Sequence, residues 1–462
     1  MGKLEEAGEL VRVSKEVDSE FELSSICRKM ELLGGPAILF EKVKGYDIPL
    51  VANILGSQKR VALALETTDI KAAIAKVGDV IYNQKYIKPV LVENAPCQEV
   101  VLTGDDVDIT KLPVPIWNEK DGGRYFTAGF QIAKEPDSGV PNMSLHRMQV
   151  KGPRKTGILA HPPVHLGLYR QKAEERNQPL EIAVCIGNDP VIELAALCSI
   201  PMNQNELALA GGIRGEALQL VKCKTVNLEV PATAEIILEG RILPNYLEYE
   251  GPFGEQPGYY GDGGDRHVVE ITAITYRKQP TFRGLYLSKP PTEGQFLTEL
   301  TRSAVLLSEI RHKVPTVTAA HITVGGGGWL NAIMSIRKLE TPDYPYATEG
   351  WGKLALTSAL SSHLRIKNAI VVDHDVDIFN MDEVEWALAT RFQADRDLIT
   401  IPGISGFALD PSSLDKRGVS CGMGLDATIP QNVEYPEVPQ PPQEAIDRVE
   451  DCWEEYGFKR AY

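Results

Sequence analysis

The sequence predicts an α/β (α+β) protein of two or three domains, and three observations lead there. A chain of 462 residues is longer than one hydrophobic core usually supports. Its first and last sections alternate helix-like and strand-like patterns, which gives α/β layers. The section between them is dense in short alternating strands and turn residues, which favours a barrel or an open, barrel-like sheet.

The elements follow in chain order. To about residue 95, helix and strand are mixed. Residues 20–33 read as a helix, with Ser19 as the expected N-cap and Gly34-Gly35 as the stop. A second helix starts near Asp69 and runs over 69–78. In the middle section, Glu99-Val100-Val101-Leu102 reads as a strand that ends in the turn Gly104-Asp105-Asp106. Ala234, Ile236 and Leu238 alternate with Glu235 and Glu239, and Val269, Ile271, Ala273 and Thr275 alternate in the same way. Residues 297–311 carry Leu297, Leu300, Ala304, Leu307 and Ile310 at helical spacing, a core-facing stripe. The last section repeats strand and helix: strands at 316–320 and 369–372, helices near 351–364 and at 382–391. Pro436, Pro439, Pro441 and Pro442 form a stiff linker. An amphipathic terminal helix is expected after it, with Ile446, Val449, Trp453 and Tyr456 on one side. Such an arm commonly docks on a neighbouring subunit, so an oligomer is expected.

Composition narrows the function. Hydrophobic residues make up 43% and charged residues 24%, as in soluble globular proteins. A net charge of −15 opposes binding to nucleic acid or an anionic membrane, both of which require clustered Lys and Arg. No apolar run approaches a membrane span. Residues 1–6 lack the apolar core of a signal peptide, and Glu6 stands where a myristoylation signal has Ser or Thr. The seven cysteines are scattered, odd in number and free of any CxxC pair. They read as reduced thiols of a cytoplasmic protein.

Four stretches carry possible chemistry. Glu250-Gly251-Pro252-Phe253-Gly254-Glu255 places two carboxylates around a Gly-Pro turn, and reads as a loop able to aim both into one pocket. Carboxylates in unequal environments can divide into a proton donor and a charged partner; a solvated surface turn fits the same residues. In Pro141-Asn142-Met143-Ser144-Leu145-His146-Arg147, Arg147 offers a fork of donors suited to a carboxylate, or a structural salt bridge. Strand alternation puts Asn142, Ser144 and His146 opposite Arg147, so a bulge or strand entrance must intervene if Asn142 and Arg147 serve one site. His146 reads as a packed histidine rather than a ligand. His165 follows Pro162-Pro163, and Glu206 follows Asn203-Gln204-Asn205. Their spacing makes no metal motif, although Asn, His and Glu together suit a hard or borderline divalent ion.

Taken in order, these segments resemble the UbiD family of reversible decarboxylases. The supporting stretches are Val230-Pro231-Ala232-Thr233-Ala234-Glu235, Asp373-His374-Asp375-Val376-Asp377, Trp386-Ala387-Leu388-Ala389-Thr390-Arg391 and Met423-Gly424-Leu425-Asp426-Ala427-Thr428. The resemblance implies an N-terminal α/β section (1–95), a split β-barrel flavin-binding domain (96–296), a linking helix (297–313), a C-terminal α/β oligomerisation domain (314–435), and a Pro-rich arm with a terminal helix (436–462). It implies non-oxidative, reversible decarboxylation of an aromatic, heteroaromatic or α,β-unsaturated acid through a covalent substrate–prenylated-flavin adduct. Arg147, Glu250 and Glu255 would be catalytic. Asn142, His165 and Glu206 would hold a divalent metal, Mn2+ first and Mg2+ or another ion as alternatives, with K+ as a further ion. Ser144, Leu145, His146 and Arg147 would join these three in binding prenylated FMN. A UbiX-type flavin prenyltransferase would supply the cofactor, CO2 would be the product, and the assembly would be a homodimer or hexamer.

One departure is noted. Many relatives carry Lys where this chain has Gly422, and Lys416 or Arg417 are the nearest substitutes. Other readings stay open: a carboxylase or carboxylase subunit of the same family, a flavin- and metal-binding protein without turnover, and a metal hydrolase using the same Asn, His and Glu. Thr292, Glu293, Gly294, Gln295 and Phe296 read either as pocket lining or as a plain interdomain loop.

Overall fold

The computed structural model describes residues 1–339, 349–413, 418–431 and 433–457; Lys416 and Arg417 lie outside them. Helices and sheets are mixed throughout. A four-stranded sheet is built from Leu10–Val13, Ala37–Phe40, Leu50–Ala52 and, returning from far along the chain, Phe282–Arg283. A five-stranded sheet holds Val317–Ile322, Asn331–Ile336, Asn368–Asp373, Val419–Ala427 and Leu398–Ser405 in that spatial order.

Between them lies a nine-stranded sheet. Its main path runs Tyr125–Phe126, Met148–Gly152, Lys155–Ile158, Gly264–Tyr276, Ile236–Glu250, Leu180–Ile186, Gly129–Lys134, Pro141–Leu145, and Val100–Thr103 pairs off this path with 264–276. The strand at 141–145 therefore lies at one end of the path. The strand at 148–152 lies near the other end, yet only His146 and Arg147 separate them in the chain. The sheet must curl until its two ends approach. Gln131 spans the gap: its Oε1 accepts the His146 N–H at 2.8 Å and its Nε2 donates to the His146 carbonyl at 2.9 Å. The break in alternation needed between Asn142 and Arg147 is this step.

Most helices start and stop for local reasons. Asp69 caps the helix Ile70–Tyr82, its carboxylate accepting the Ala72 N–H at 2.8 Å. The first long helix begins at Glu22 rather than near Ser19. Phe21, with φ 68°, holds the N-cap place, and Ser24 and Ser25 donate to its carbonyl. Gly34-Gly35 does end it, Gly35 N–H reaching the Met30 carbonyl at 2.8 Å. The long helix between the sheets is Glu293–Arg311, not 297–311, because Thr292 N–H bonds Gln295 Oε1 at 2.5 Å in a capping box. Glu293, Gly294, Gln295 and Phe296 are thus its first turn and not a loop. The helix after Gly350 ends at Leu360, short of 364, and Arg365 beyond it takes a positive φ.

The terminal helix spans Gln443–Asp451 and buries none of its residues; Trp453 and Tyr456 fall in turns beyond it. All seven cysteines are free. Among the described residues no helix is long and apolar enough to cross a membrane. Gly422 packs closely: a Cβ there would lie 2.8 Å from Ile404 Cδ1 and 3.3 Å from Leu360 Cδ2, so a side chain at this place would have to displace those two side-chain ends.

Candidate active site

The first cluster forms where strands end. Glu250 is not in a loop: it is the last residue of the 15-residue strand Ile236–Glu250. The strand stops there because Gly251 has φ 95° and Pro252 has no N–H to pair. Phe253–Gly254 then pairs with Tyr260–Gly261, which folds Glu255 back toward Glu250. Arg147 enters from the step between 145 and 148. Its Nε donates to Glu250 Oε1 at 3.0 Å, its Nη2 to Glu250 Oε2 at 2.7 Å, and its Nη1 to Glu255 Oε1. The Phe253 ring lies 5.1 Å from the guanidinium carbon, and all three charged side chains are buried.

The two carboxylates are unequal. Glu250 is fully buried and held by both branches of the fork. Glu255 is held by one, and its Oε2 has no hydrogen bond among the described residues. Burial raises the Glu255 proton affinity, Arg147 opposes this, and Glu250 adds to it. Burial disfavours the charged Arg147, but Glu255 and Glu250 outweigh it and raise its pKa. Arg147 has five N–H donors; three are used here, which leaves two for another acceptor.

The second cluster stands at the other end of strand 141–145. His165 and Glu206 are each the first residue of a helix, His165–Glu175 and Glu206–Arg214, so both side chains project at helix N-termini toward the strand. Asn142 Nδ2 donates to Glu206 Oε1 at 2.8 Å and lies 3.4 Å from His165 Nδ1. Glu206 Oε2 accepts the Met143 N–H at 3.0 Å. Ser144 Oγ bonds Asn142 Oδ1 at 3.2 Å and lies 3.1 Å from His146 Nε2. Burial pushes Glu206 up to about 8, against the pull of the Met143 and Asn142 donors. It lowers His165 and brings His146 down to about 4. No group of three or more His, Cys, Asp or Glu suited to a metal occurs among the described residues. The Asn–His–Glu set contains only two of those types. Its chemistry nevertheless fits a divalent ion: a buried carboxylate with no Lys or Arg in ion-pair contact, a neutral imidazole, and an amide.

The strand joining the clusters is an edge. Because Met143 N–H points outward to Glu206, Leu145, two residues on, also turns its N–H and carbonyl outward. At ~3.3 Å per residue the five steps from Asn142 to Arg147 span about 17 Å. Cavities of about 550 and 380 Å³ lie elsewhere. The larger is walled by Arg60, Lys76, Arg214 and Arg277 with Glu66 and Asp189, the smaller by Asp375, Asp377 and Phe379. Neither is lined by either cluster.

Comparison with known proteins follows the same three-part layout. Residues 1–81, 88–290 and 295–427 match the N-terminal, Rift-related and C-terminal domains of 3-octaprenyl-4-hydroxybenzoate carboxy-lyase. The chain belongs to the UbiD family. Among UbiD relatives, anhydromevalonate phosphate decarboxylase of Methanothermobacter thermautotrophicus is 34% identical, over 91% of this chain and 94% of its own. The UbiD-class enzyme HmfF of Pelotomaculum thermopropionicum, solved with FMN, superposes with a TM-score of 0.88 at 40% identity, covering 97% of this chain and 98% of that one. An evolved dimeric form of HmfF was solved with prFMN (TM-score 0.84, 39% identity, 95% and 96% covered). Vanillic acid decarboxylase of Sedimentibacter hydroxybenzoicus gives 0.87 at 32% identity, with 97% of each chain covered.

Several neighbours of the first cluster had no signal in the residue patterns. Asp121 and Tyr125 come from the stretch Asn118-Glu119-Lys120-Asp121-Gly122-Gly123-Arg124-Tyr125, which reads as an ordinary polar turn. Gly261 leaves room for the acids: a Cβ there would lie 3.1 Å from Glu255 Cγ and 3.5 Å from Arg147 Nη1. Glu293 turns away from the site and is neutralised by Arg283, its Oε1 taking Nη2 at 2.6 Å.

Proposed function

We propose that this protein removes CO2 non-oxidatively and reversibly from an aromatic, heteroaromatic or α,β-unsaturated carboxylic acid, using prenylated FMN and a divalent metal, with Mn2+ the first candidate. The observation that carries the reading is one buried guanidinium between two unequal carboxylates, at the end of an open-edged strand whose other end bears Asn142, His165 and Glu206. The named relatives support the substrate class, since vanillic acid is an aromatic acid, and the prFMN-bound HmfF supports the cofactor. Asn142, His165 and Glu206 would hold the metal at the flavin phosphate, and Ser144, Leu145 and His146 would line the flavin between them and Arg147.

Loss of CO2 from an sp2 carbon leaves a carbanion that needs an electron sink, and a bound prenylated flavin supplies it. The chain's own residues do the rest. The two N–H groups left on Arg147 orient the substrate carboxylate while the other three keep their bonds. Glu250, bidentate and inaccessible, fixes the guanidinium. Glu255 carries the proton on Oε2 and delivers it to the carbon that has lost CO2; in the reverse direction it takes the proton back. Phe253 and Tyr125, both buried, wall one side of the cluster, and burial raises the proton affinity of Glu255.

Co-expression with a flavin prenyltransferase, mass measurement of the bound cofactor, and a CO2-release screen over aromatic, heteroaromatic and acrylic acids test the proposal. Glu255→Gln should abolish turnover while the flavin stays bound. Normal rates in that variant, or activity in a colourless preparation, would refute it.

A further inference from the structure

The segment from Asn118 to Tyr125 wraps the turn that carries Glu255. Gly122 N–H donates to the Pro252 carbonyl at 2.8 Å, an approach open only to glycine because a Cβ would lie 2.4 Å from the Gly251 carbonyl oxygen. Tyr125 Oη donates to the same Pro252 carbonyl at 3.5 Å. Lys120 N–H bonds Tyr260 Oη at 3.1 Å. At the centre is Asp121. Its Oδ2 accepts the Asn118 N–H at 2.9 Å, an ordinary local turn. Its Oδ1 reaches across 133 positions to accept the Gly254 N–H at 2.8 Å. A turn-forming aspartate needs only the first of these bonds. The second ties a carboxylate to the residue directly before Glu255.

Burial raises the Asp121 proton affinity, and the Gly254 and Asn118 N–H groups oppose this by favouring its charged form. Among the described residues no Lys or Arg forms an ion pair with it within 4 Å; its cationic influence is Arg147, across the same cluster. We propose that Asp121 is a positioning residue: it fixes the turn bearing Glu255 and, through its negative charge, biases Glu255 toward holding the proton it is to deliver. This rests on the role proposed above for Glu255. The groups facing Glu255 are Arg147 from the strand step, Glu250 from its strand end, and Asp121 from the wrapping segment, with Tyr125 behind Glu250. Arg147 favours the ionised form of Glu255; Glu250 and Asp121 favour the protonated one. Asp121 is the one acid among them that makes no direct bond to Arg147.

The test compares the wild-type holoenzyme with Asp121→Asn and Asp121→Ser, which remove the charge, and with Asp121→Glu, which keeps it. The first readout needs no turnover: the infrared carboxyl band of Glu255, assigned by its loss in Glu255→Gln, followed against pH. The expected midpoint falls by about half a pH unit or more in the two neutral variants and returns toward the wild-type value in Asp121→Glu. The basic limb of the kcat/KM profile should move to lower pH in parallel. An unshifted midpoint in a folded neutral variant overturns the proposal, as does failure of both neutral variants to fold, which would make Asp121 a structural brace alone. If the infrared midpoint moves but the wild type releases CO2 from no acid in the screen, the Asp121–Glu255 coupling stands and the decarboxylase reading falls.

Discussion

Replacing Arg147 by Leu tests the electrostatics of the first cluster without any cofactor. The guanidinium makes three hydrogen bonds to two buried carboxylates, and Glu250 has no accessible surface. Removing one partner of a buried ion pair costs about 3–5 kcal/mol, because the remaining charge stays desolvated. For domains of 150–250 residues each kcal/mol moves the melting temperature by ~2–4 °C, so a fall of roughly 6–20 °C is expected at neutral pH. The deficit should depend on pH. Burial already raises the Glu255 proton affinity and Arg147 opposes it, so without the cation Glu255 holds its proton in the folded state above the ~4.3 of a free glutamate. A group whose folded pKa is raised contributes stability below its unfolded pKa and loses it as pH rises through the folded value. The gap between variant and wild type should therefore be small near pH 5 and widen toward pH 8. Urea unfolding at both pH values measures it. An equal gap at the two pH values, or a loss under about 1 kcal/mol, would refute the account of a buried pair sharing one cation.

Two further outcomes are expected. Mn2+ at about a hundred times its dissociation constant should stabilise the wild type by ~2.7 kcal/mol, or roughly 5–10 °C; Glu206→Gln should lose that response, and an unchanged response would remove Glu206 from the metal site. Gly261→Ala should lower kcat at least about tenfold, because the new methyl displaces Glu255 and small misplacements at a reacting centre are costly, while melting shifts by less than about 3 °C; full activity in Gly261→Ala would show that Glu255 need not sit where it does.

Elements with strong periodicity were legible from the residues alone. The core-facing stripe from Leu297 to Ile310, the helix start near Asp69 and the alternation around Ile236 and Val269 all correspond to real elements. Boundaries were less legible, because side-chain bonds decide them: Gln295 extends the long helix by four residues, and Phe21 displaces Ser19 as a cap. The Glu250 environment was misread as a loop, since Gly and Pro mark the end of a strand as readily as the middle of a turn. Asn142, His165 and Glu206 carry no spacing signal. They meet only because two helices begin opposite one strand. Asp121 and Gly261 matter through what they touch, and nothing in a single sequence announces a contact across more than a hundred positions.

The two-residue passage through His146 and Arg147 acts as a ruler between the two clusters. One extra residue between Asn142 and Arg147 would rotate the guanidinium out of register with both acids and lengthen the track between the two clusters by a full backbone step. Insertions should therefore collect in the outer turns, such as 135–140, and be missing from this stretch. A relative with an altered count there would have to bring its two clusters together by another geometry.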